Sequence, residues 1–390
     1  MEEATSEFPI FELNTTNLNE TFDADNASRV AVTDNSFGYC DSYLKPFAKS
    51  YSTLHGYNSL IICLFGAHAN ILNLIVLSRK EMRNPTNAIL TGLAVADLAT
   101  MLEYIPFAIY RILLPKTNSY EWAAYVLIHS NFSQVLHTTS IWLAVTLAVW
   151  RYVMVTRYRE SKSICSMKRA QKAVIAAYIF STMAHLFISF AVKPIQSVGE
   201  KENSLIYVVN VSDLAIKYPM LKTTNFWLYS VVIKMIPCAI FTIVNCHLIS
   251  SLERVKIQKS MMFPMRAVHA DIIERQAGRA SFSFEAFGSD STTRMLLAVL
   301  FLFLITEFPQ GLLGLMSGVL GDEFFNSCYI PLGDLMDFVA LLNSSINFIL
   351  YCTMSEKFRE TFIKVFRLNG IVRLFRRQST NRKSYEDTHT

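Results

Sequence analysis

Seven long apolar stretches, separated by more polar segments, recur between residues 54 and 354 of this 390-residue chain. Each stretch is long enough for a helix to cross a hydrocarbon core, which takes roughly 20 residues. Residues 296–305 are continuously apolar, whereas a strand of a membrane barrel would alternate. The pattern predicts an all-α membrane protein, a seven-transmembrane helix bundle with spans at 54–77, 87–113, 125–155, 172–192, 226–252, 293–320 and 330–354.

The distribution of charge predicts the orientation of this bundle. Residues 1–50 contain more acidic than basic side chains, whereas Lys and Arg concentrate after the first, third and fifth spans and in the tail. The positive-inside rule therefore places the N-terminus outside and the C-terminus in the cytoplasm. The net charge of +5 belongs to the cytoplasmic face and gives no reason to expect a nucleic-acid partner.

The sequence divides into four regions. Residues 1–53 are predicted to form a disordered extracellular arm, 54–354 the membrane domain, and 367–390 a cytoplasmic tail. Between them, 355–366 carry Phe358 and Phe362 on one side, which predicts an amphipathic helix lying on membrane lipid. Glycosylation sequons occur in the arm and after the fourth span, at Asn14, Asn19, Asn26 and Asn210.

Spaced motifs connect the spans to a known family. They are Gly66, Asn70, residues 93–98, Arg151 with Tyr152, Pro237, Phe308 with Pro309, and Asn347 with Tyr351. Their spacing resembles that of rhodopsin-like (class A) G-protein-coupled receptors. Segments 142–153, 308–314 and 328–351 more narrowly resemble invertebrate myosuppressin and FMRFamide-like neuropeptide receptors.

The resemblance implies a multi-pass plasma-membrane receptor rather than an enzyme. Its expected partners are a secreted amidated neuropeptide outside and a heterotrimeric G protein inside, and an inhibitory Gi/o type would fit the family. The hydroxyl-rich tail suits a receptor kinase and arrestin, although a merely solvated tail explains its composition equally well. The implied switch and G-protein residues are Arg151, Tyr152, Pro309, Asn347 and Tyr351.

Three residues depart from the family pattern. Trp150 replaces the acid that normally precedes the Arg, Glu307 replaces a Trp, and Phe348 replaces a Pro. A carboxylate next to Arg151 therefore cannot restrain it. We expect the resting state of this receptor to be held differently from that of its relatives.

Asp97 is a carboxylate in an otherwise apolar span, where it costs several kcal/mol unless it is paired or hydrated. The resemblance implies a water-filled pocket that can hold a sodium ion as an allosteric modulator. A hydrogen-bond network without an ion is the alternative, and no other cofactor is expected. The pocket residues would be Asn70, Asp97, Ser140, Asn343 and Asn347.

Polar side chains in the outer halves of the spans are candidates for ligand binding. His129, Ser133 and His137 recur at four-residue spacing, either as a pocket lining or as packing residues. The outer acids suit a cationic ligand, such as a peptide ending in Arg-Phe-amide. Lys234 could instead neutralise Glu307, and Asp334 could face water. The predicted ligand-binding set is Glu103, His129, Gln134, His137, Lys234, Glu307, Gln310, Asp334 and Asp337.

Other classes of membrane protein fit the sequence less well. A retinal receptor needs a Lys in the seventh span, and 330–354 contain none. A transporter or channel predicts internal repeats or a continuous polar path, which the sequence lacks. A class A receptor for a small amine or another non-peptide ligand remains the alternative. The acid expected for amine binding one turn above His137 is replaced by Gln134 and Ser133.

Cysteine positions also depart from the related receptors, which usually join the top of the third helix to the second outer loop. Residues 116–134 and 193–226 contain no Cys. The predicted topology places only Cys40 and Cys328 outside. A bridge between them is predicted for an oxidising compartment, with two free thiols as the alternative.

Overall fold

A computed structural model of the chain describes residues 39–113, 119–185, 190–196, 205–273 and 289–367. The sequons at Asn14, Asn19 and Asn26, and the tail after residue 367, lie outside the described residues. The first four main helices are α1 (Asp41–Leu77), α2 (Pro85–Leu113), α3 (Tyr120–Thr156) and α4 (Met167–Ala184). A 3₁₀ turn, Lys80–Met82, separates α1 from α2, and a short helix, Tyr158–Ile164, precedes α4.

An antiparallel hairpin connects α4 to the fifth helix on the outer side. Its strands are β1 (Phe190–Gln196) and β2 (Leu205–Val211), with Phe190 opposite Val211. The short helix Asp213–Lys217 follows. The fifth helix, α5, comprises Met220–Trp227, a π-helical stretch Leu228–Met235, and Ile236–Ile273.

The last three main helices complete the bundle. They are α6 (Ser289–Leu320), α7 (Gly333–Met354) and α8 (Glu356–Val365). Between α6 and α7 the chain forms Asp322–Phe324, a π-helical turn Phe325–Tyr329 and a 3₁₀ turn Ile330–Leu332. Helix α1 packs on α2 and α7, while α3 contacts α2, α4 and α5, and α6 lies between α5 and α7.

Six helical segments of the described chain have the length and hydropathy needed to cross a membrane, and α4 is the remaining, shorter helix of the bundle. The predicted fourth span, 172–192, is therefore corrected. Its helix begins at Met167 and ends at Ala184, and residues 190–192 belong to β1, where their backbone pairs with β2. The helical membrane bundle itself is confirmed.

The boundary of the predicted N-terminal arm is also wrong. Helix α1 begins at Asp41, so residues 41–53 are helical and not part of a disordered segment. A disulfide joins Cys40 to Cys328, and Arg111 donates a hydrogen bond of 3.0 Å to Ser52 Oγ. These contacts hold the extra turns of α1 against α2 and the segment before α7.

Helix α8 begins directly after α7. The Ser355 hydroxyl accepts a hydrogen bond of 3.2 Å from the Phe358 amide and caps the helix. Phe358 is 2% exposed and packs with Leu77 and Leu90 at the inner ends of α1 and α2. The apolar side of α8 therefore contacts the bundle, and its predicted position on membrane lipid stays a prediction.

Two glycines of α6 allow it to approach α5 closely. A Cβ at Gly311 would lie 2.9 Å from Lys234 Cβ, and one at Gly314 would lie 2.5 Å from Ser230 Oγ. A side chain at either position would require its neighbour on α5 or the helix itself to shift, because real Cβ contacts are essentially never shorter than 3.0 Å. This close packing brings polar groups of α5 and α6 into direct contact in the middle of the bundle.

Candidate functional site

A cavity opens between the outer halves of α3, α5, α6 and α7, with Val209 of β2 at its edge. It encloses about 100 Å³ of space for water-sized molecules. Four aromatic residues form much of its wall, and four amide side chains provide hydrogen-bonding groups. These are Phe226, Tyr229, Phe325 and Tyr329, and Asn131, Gln134, Asn225 and Gln310, respectively.

Asp337 is the one carboxylate among the described residues that line this outer cavity. Within the described part of the chain, no hydrogen bond or ion pair to its carboxylate is formed. It lies on α7, one turn after Asp334. Of the predicted ligand-binding residues, the structure places Gln134, Gln310 and Asp337 in the cavity wall.

Two other predicted ligand-binding acids are paired between helices and lie outside the described wall of the cavity. Glu103 of α2 bonds His129 of α3. Arg111 donates hydrogen bonds of 2.7 Å to each carboxylate oxygen of Asp334. The structure therefore does not bring the predicted acids together in one pocket, because Glu103 and Asp334 contact side chains of neighbouring helices instead.

The sequence interpretation missed Arg111, although it lies in the last turn of α2 and faces the outer ends of α1 and α7. A cation at the end of an apolar span is usually read as an interfacial residue. Its side chain is only 9% exposed here. The signal that could have identified it is Asp334, an acid at the matching depth of the seventh span.

A charge cluster lies one helical turn below the cavity. Lys234 of α5 donates hydrogen bonds to Glu307 Oε2 at 2.7 Å and to Gln310 Oε1 at 2.6 Å, both on α6. His137 of α3 lies 3.1 Å from the same Glu307 oxygen. Lys234 and Glu307 are fully buried, and neither they nor His137 belong to the described wall of the outer cavity. The predicted Lys234–Glu307 pair is present as a structural contact.

A second, smaller cavity of about 40 Å³ lies deeper in the bundle, around Asp97. The Asp97 carboxylate accepts hydrogen bonds from Ser140 at 2.9 Å and from Asn347 at 2.7 Å. Asn343 and His137 also line this inner cavity. Asn70 instead donates to the Ser344 carbonyl at 3.1 Å and is not among the described lining residues.

The inner cavity has the oxygen donors that a sodium ion prefers: one carboxylate, one hydroxyl and two amide side chains. Clusters of three or more His, Cys, Asp or Glu side chains suited to a metal are absent from the described residues. The residues present therefore fit a weakly held hard cation better than a transition metal.

The cytoplasmic ends of the helices contain the predicted switch residues. Arg151 is half-buried near the end of α3, and the neighbouring Tyr152 packs with Leu248 and Leu252 of α5. Trp150 packs between α2 and α4, so the position usually taken by an acid carries a packing residue. Pro309 lies within α6, and the side chain of Tyr351 lies outside the described residues.

The structure has the Cys40–Cys328 disulfide, with a Cα–Cα distance of 5.2 Å. The outer hairpin is held by other contacts. Tyr207 of β2 packs edge-on against Tyr120 of α3 with ring centroids 5.5 Å apart, and Lys193 of β1 bonds Asp213 at 2.6 Å. Asn210 lies in β2, and its side chain is outside the described residues.

Residues 57–369 match the family model described as serpentine type 7TM GPCR chemoreceptor Srw. The chain belongs to this family of G-protein-coupled receptors. It is therefore a signalling receptor and a multi-pass plasma-membrane protein, as the resemblance to class A receptors predicted.

Three curated relatives show the range of similarity. The chain is 30% identical to the G-protein coupled receptor dmsr-1 of Caenorhabditis elegans, over 93% of this chain and 77% of that protein. It is 27% identical to the Sex peptide receptor of Drosophila melanogaster, over 89% and 81% of the two chains. The FMRFamide receptor of the same fly is 23% identical, over 78% of this chain and 52% of that receptor.

Proposed function

We propose that this receptor is activated by an extracellular amidated peptide whose C-terminal Arg-Phe-amide enters the outer cavity. Two of its relatives are named as receptors for a sex peptide and for FMRFamide. The observation that carries the proposal is Asp337, the carboxylate of the cavity wall that lacks an ion-pair partner among the described residues.

A guanidinium group is the natural partner for this carboxylate. An unpaired carboxylate at membrane depth is costly, so a cation supplied by the ligand offsets that cost. An Arg side chain can also donate two parallel hydrogen bonds to a carboxylate, which fixes its orientation. The paired acids Glu103, Glu307 and Asp334 already have partners in the bundle. Asp337 is therefore the acid best suited to bind an Arg side chain of the peptide.

The remaining groups of the cavity suit the last residue of such a peptide. The rings of Phe226, Phe325 and Tyr329 offer an aromatic surface for the Phe side chain. The Gln134 Oε1 atom is buried and lacks a partner among the described residues, so a donor from the ligand would remove the penalty of that unsatisfied acceptor. The terminal carboxamide provides such an N–H donor.

The proposal is tested by comparing two peptides, one with Arg and one with an uncharged analogue of Arg, on the wild-type receptor and on an Asp337 variant. Cells expressing the receptor are stimulated with a peptide ending in Arg-Phe-amide and with its citrulline analogue, which is close in shape but uncharged. The wild type is expected to prefer Arg by about 30-fold or more, because loss of a buried charge pair costs at least about 2 kcal/mol. Asp337→Asn should lose this preference. Asp213→Asn, at an outer acid whose side chain is 93% exposed, is the matched control.

Two results would contradict the proposal. One is an Asp337→Asn receptor that reaches the surface and keeps both the potency and the Arg preference of the wild type. The other is silence to every amidated peptide together with a response to an amine, which would make the receptor an amine receptor.

The inner cavity and the cytoplasmic face complete the proposed activity. A sodium ion held by Asp97, Ser140, Asn343 and Asn347 would neutralise the buried carboxylate and favour the conformation that binds it. The inner end around Arg151 and Tyr152 would meet a heterotrimeric G protein of the inhibitory type, with Pro309 as the bend point of α6. Receptor kinase and arrestin would act on the tail. Sensors for each G-protein class, read in the same cells, test the coupling.

A further inference from the structure

A continuous series of polar contacts joins the outer cavity to the inner one. Gln310 lines the outer cavity and accepts a hydrogen bond of 2.6 Å from Lys234. Lys234 contacts Glu307 at 2.7 Å, and Glu307 contacts His137 at 3.1 Å. His137 lines the inner cavity beside Asp97. The two cavities are thus linked by side chains from three different helices.

The two central groups of this series are sealed from both cavities. Lys234 and Glu307 are each 0% exposed, and neither lines a described cavity wall. Burial of two charges requires that they remain paired, because a lone charge in this position has no water to solvate it. If Lys234 moves relative to α6, the Glu307 side chain therefore has to move with it. That movement in turn displaces the contact of Glu307 with His137 of α3.

Glu307 forms an ionic contact with Lys234 at the centre of the bundle, between α6 and α5. One oxygen, Oε2, accepts from both Lys234 and His137, while Oε1 accepts from the Thr306 hydroxyl at 3.2 Å. The close approach at Gly311 holds α5 and α6 at the distance that this contact needs.

From this geometry we infer that Lys234 and Glu307 are coupling residues and not ligand contacts. They transmit a change at Gln310 to His137 and the inner cavity, and they hold α5 and α6 together until that change occurs. A ligand that competes for the Gln310 side-chain oxygen removes one of the two acceptors of Lys234 and so alters the contact. The inference concerns any ligand of the outer cavity, and it rests on the proposed peptide only for one arm of its test.

The test uses the full-length receptor in cells and a variant that leaves no unpaired charge, Lys234→Met with Glu307→Gln. Three quantities are measured per receptor at the surface: ligand-independent G-protein dissociation, the affinity for a fluorescent peptide ending in Arg-Phe-amide, and the maximal response to it. Ligand-independent signalling should rise by at least about fivefold and the ratio of stimulated to basal signalling should fall, with affinity changed by less than about threefold.

Two further variants make the result decisive. His137→Asn breaks the contact between His137 and Glu307 while leaving the Lys234–Glu307 ion pair in place. It should give the same rise in basal signalling. If the double variant does not reach the surface, His137→Asn alone tests the inference. Lys193→Met with Asp213→Asn neutralises an ion pair of the outer hairpin, where Asp213 is 93% exposed, and should leave all three quantities unchanged.

Two results would overturn the inference. One is unchanged basal signalling both in the Lys234→Met/Glu307→Gln double variant and in His137→Asn. The other is a loss of peptide affinity of about tenfold or more with normal basal signalling, which would make Lys234 and Glu307 ligand contacts. A wild-type receptor that ignores the peptide would reject the proposed function alone. The measurement of ligand-independent signalling would still decide whether Lys234 and Glu307 couple the two cavities.

Discussion

Arg111 and Asp334 form a bidentate ion pair in which both hydrogen bonds are 2.7 Å long. Arg111 belongs to α2 and Asp334 to the first turn of α7, and a further bond from Arg111 reaches Ser52 of α1. His55 of α1 lies 4.0 Å from the same carboxylate. One guanidinium group thus fixes the outer ends of three helices.

Replacing Arg111 by Ala is expected to lower the free energy of unfolding by about 3 kcal/mol, because it leaves the Asp334 carboxylate without its partner in a poorly solvated position. Thermal unfolding of the detergent-solubilised receptor measures the effect. Lys193→Ala is the control, since it breaks a more exposed ion pair worth less than about 1 kcal/mol.

The double replacement Arg111→Met with Asp334→Leu distinguishes the stability contributed by the ion pair from that contributed by packing of the side chains. Most of the lost stability should return in this variant, because no buried charge is then left alone. A double variant as unstable as Arg111→Ala would show that the loss came from packing of the Arg side chain.

The close contact of α5 with α6 makes a prediction about two glycines. Gly314→Ala should lower stability by about 1–3 kcal/mol, because its Cβ would lie 2.5 Å from Ser230 Oγ. Gly318→Ala is the matched variant: its nearest neighbour is 3.9 Å away, so it should be neutral or stabilising by up to about 1 kcal/mol. Both are compared by unfolding temperature.

Removal of the Ser230 hydroxyl provides a check on this steric explanation. Its Oγ is buried and has no hydrogen-bond partner among the described residues, so Ser230→Ala alone should cost little. Combined with Gly314→Ala, it should recover most of the lost stability. Additive losses in the double variant would reject a clash between these two atoms.

The disulfide predicts a specific effect of cysteine replacement. Cys328→Ser should destabilise the receptor by about 2–5 kcal/mol, and the double replacement with Cys40→Ser should add nothing further. Cys246→Ser, at an exposed free cysteine of α5, is the control. Mass spectrometry of a non-reduced digest identifies the bridge directly, and alkylation of both thiols without reduction would contradict it.

The proposed sodium site predicts a dependence on the salt cation. Replacing choline chloride by sodium chloride at constant ionic strength should raise the unfolding temperature of the wild type. In Asp97→Asn the sodium effect should vanish, because the neutral amide keeps one acceptor oxygen for the donors Ser140 and Asn347 but no longer attracts a cation. Equal sodium effects in both proteins would exclude the site.

Hydrophobic pattern alone predicted most of the fold, because each span must bury its backbone polar groups within its own helix. It failed at segment ends. The pattern could not show that residues 41–53 extend α1, since the contacts that hold them come from Arg111 and Cys328, far away in sequence. The end of α4 was missed because residues 190–192 are as apolar as a helix but pair as a strand.

The candidate site was predicted less completely for a similar reason. The Lys234–Glu307 contact was anticipated from charge and depth. Whether an acid faces a cavity or another helix depends on helix rotation and on its neighbours, which one sequence does not specify. Glu103 and Asp334 were assigned to the ligand for this reason, whereas they contact His129 and Arg111 within the bundle.

The bond between Cys40 and Cys328 spans a sequence separation of 288 residues, so it closes nearly the whole helical bundle into one covalent ring. A single proteolytic cut between the two cysteines opens this ring without dividing the molecule. The two fragments would migrate together until a reducing agent is added. A receptor cut once in a cytoplasmic loop thus keeps its two fragments covalently joined on the extracellular side.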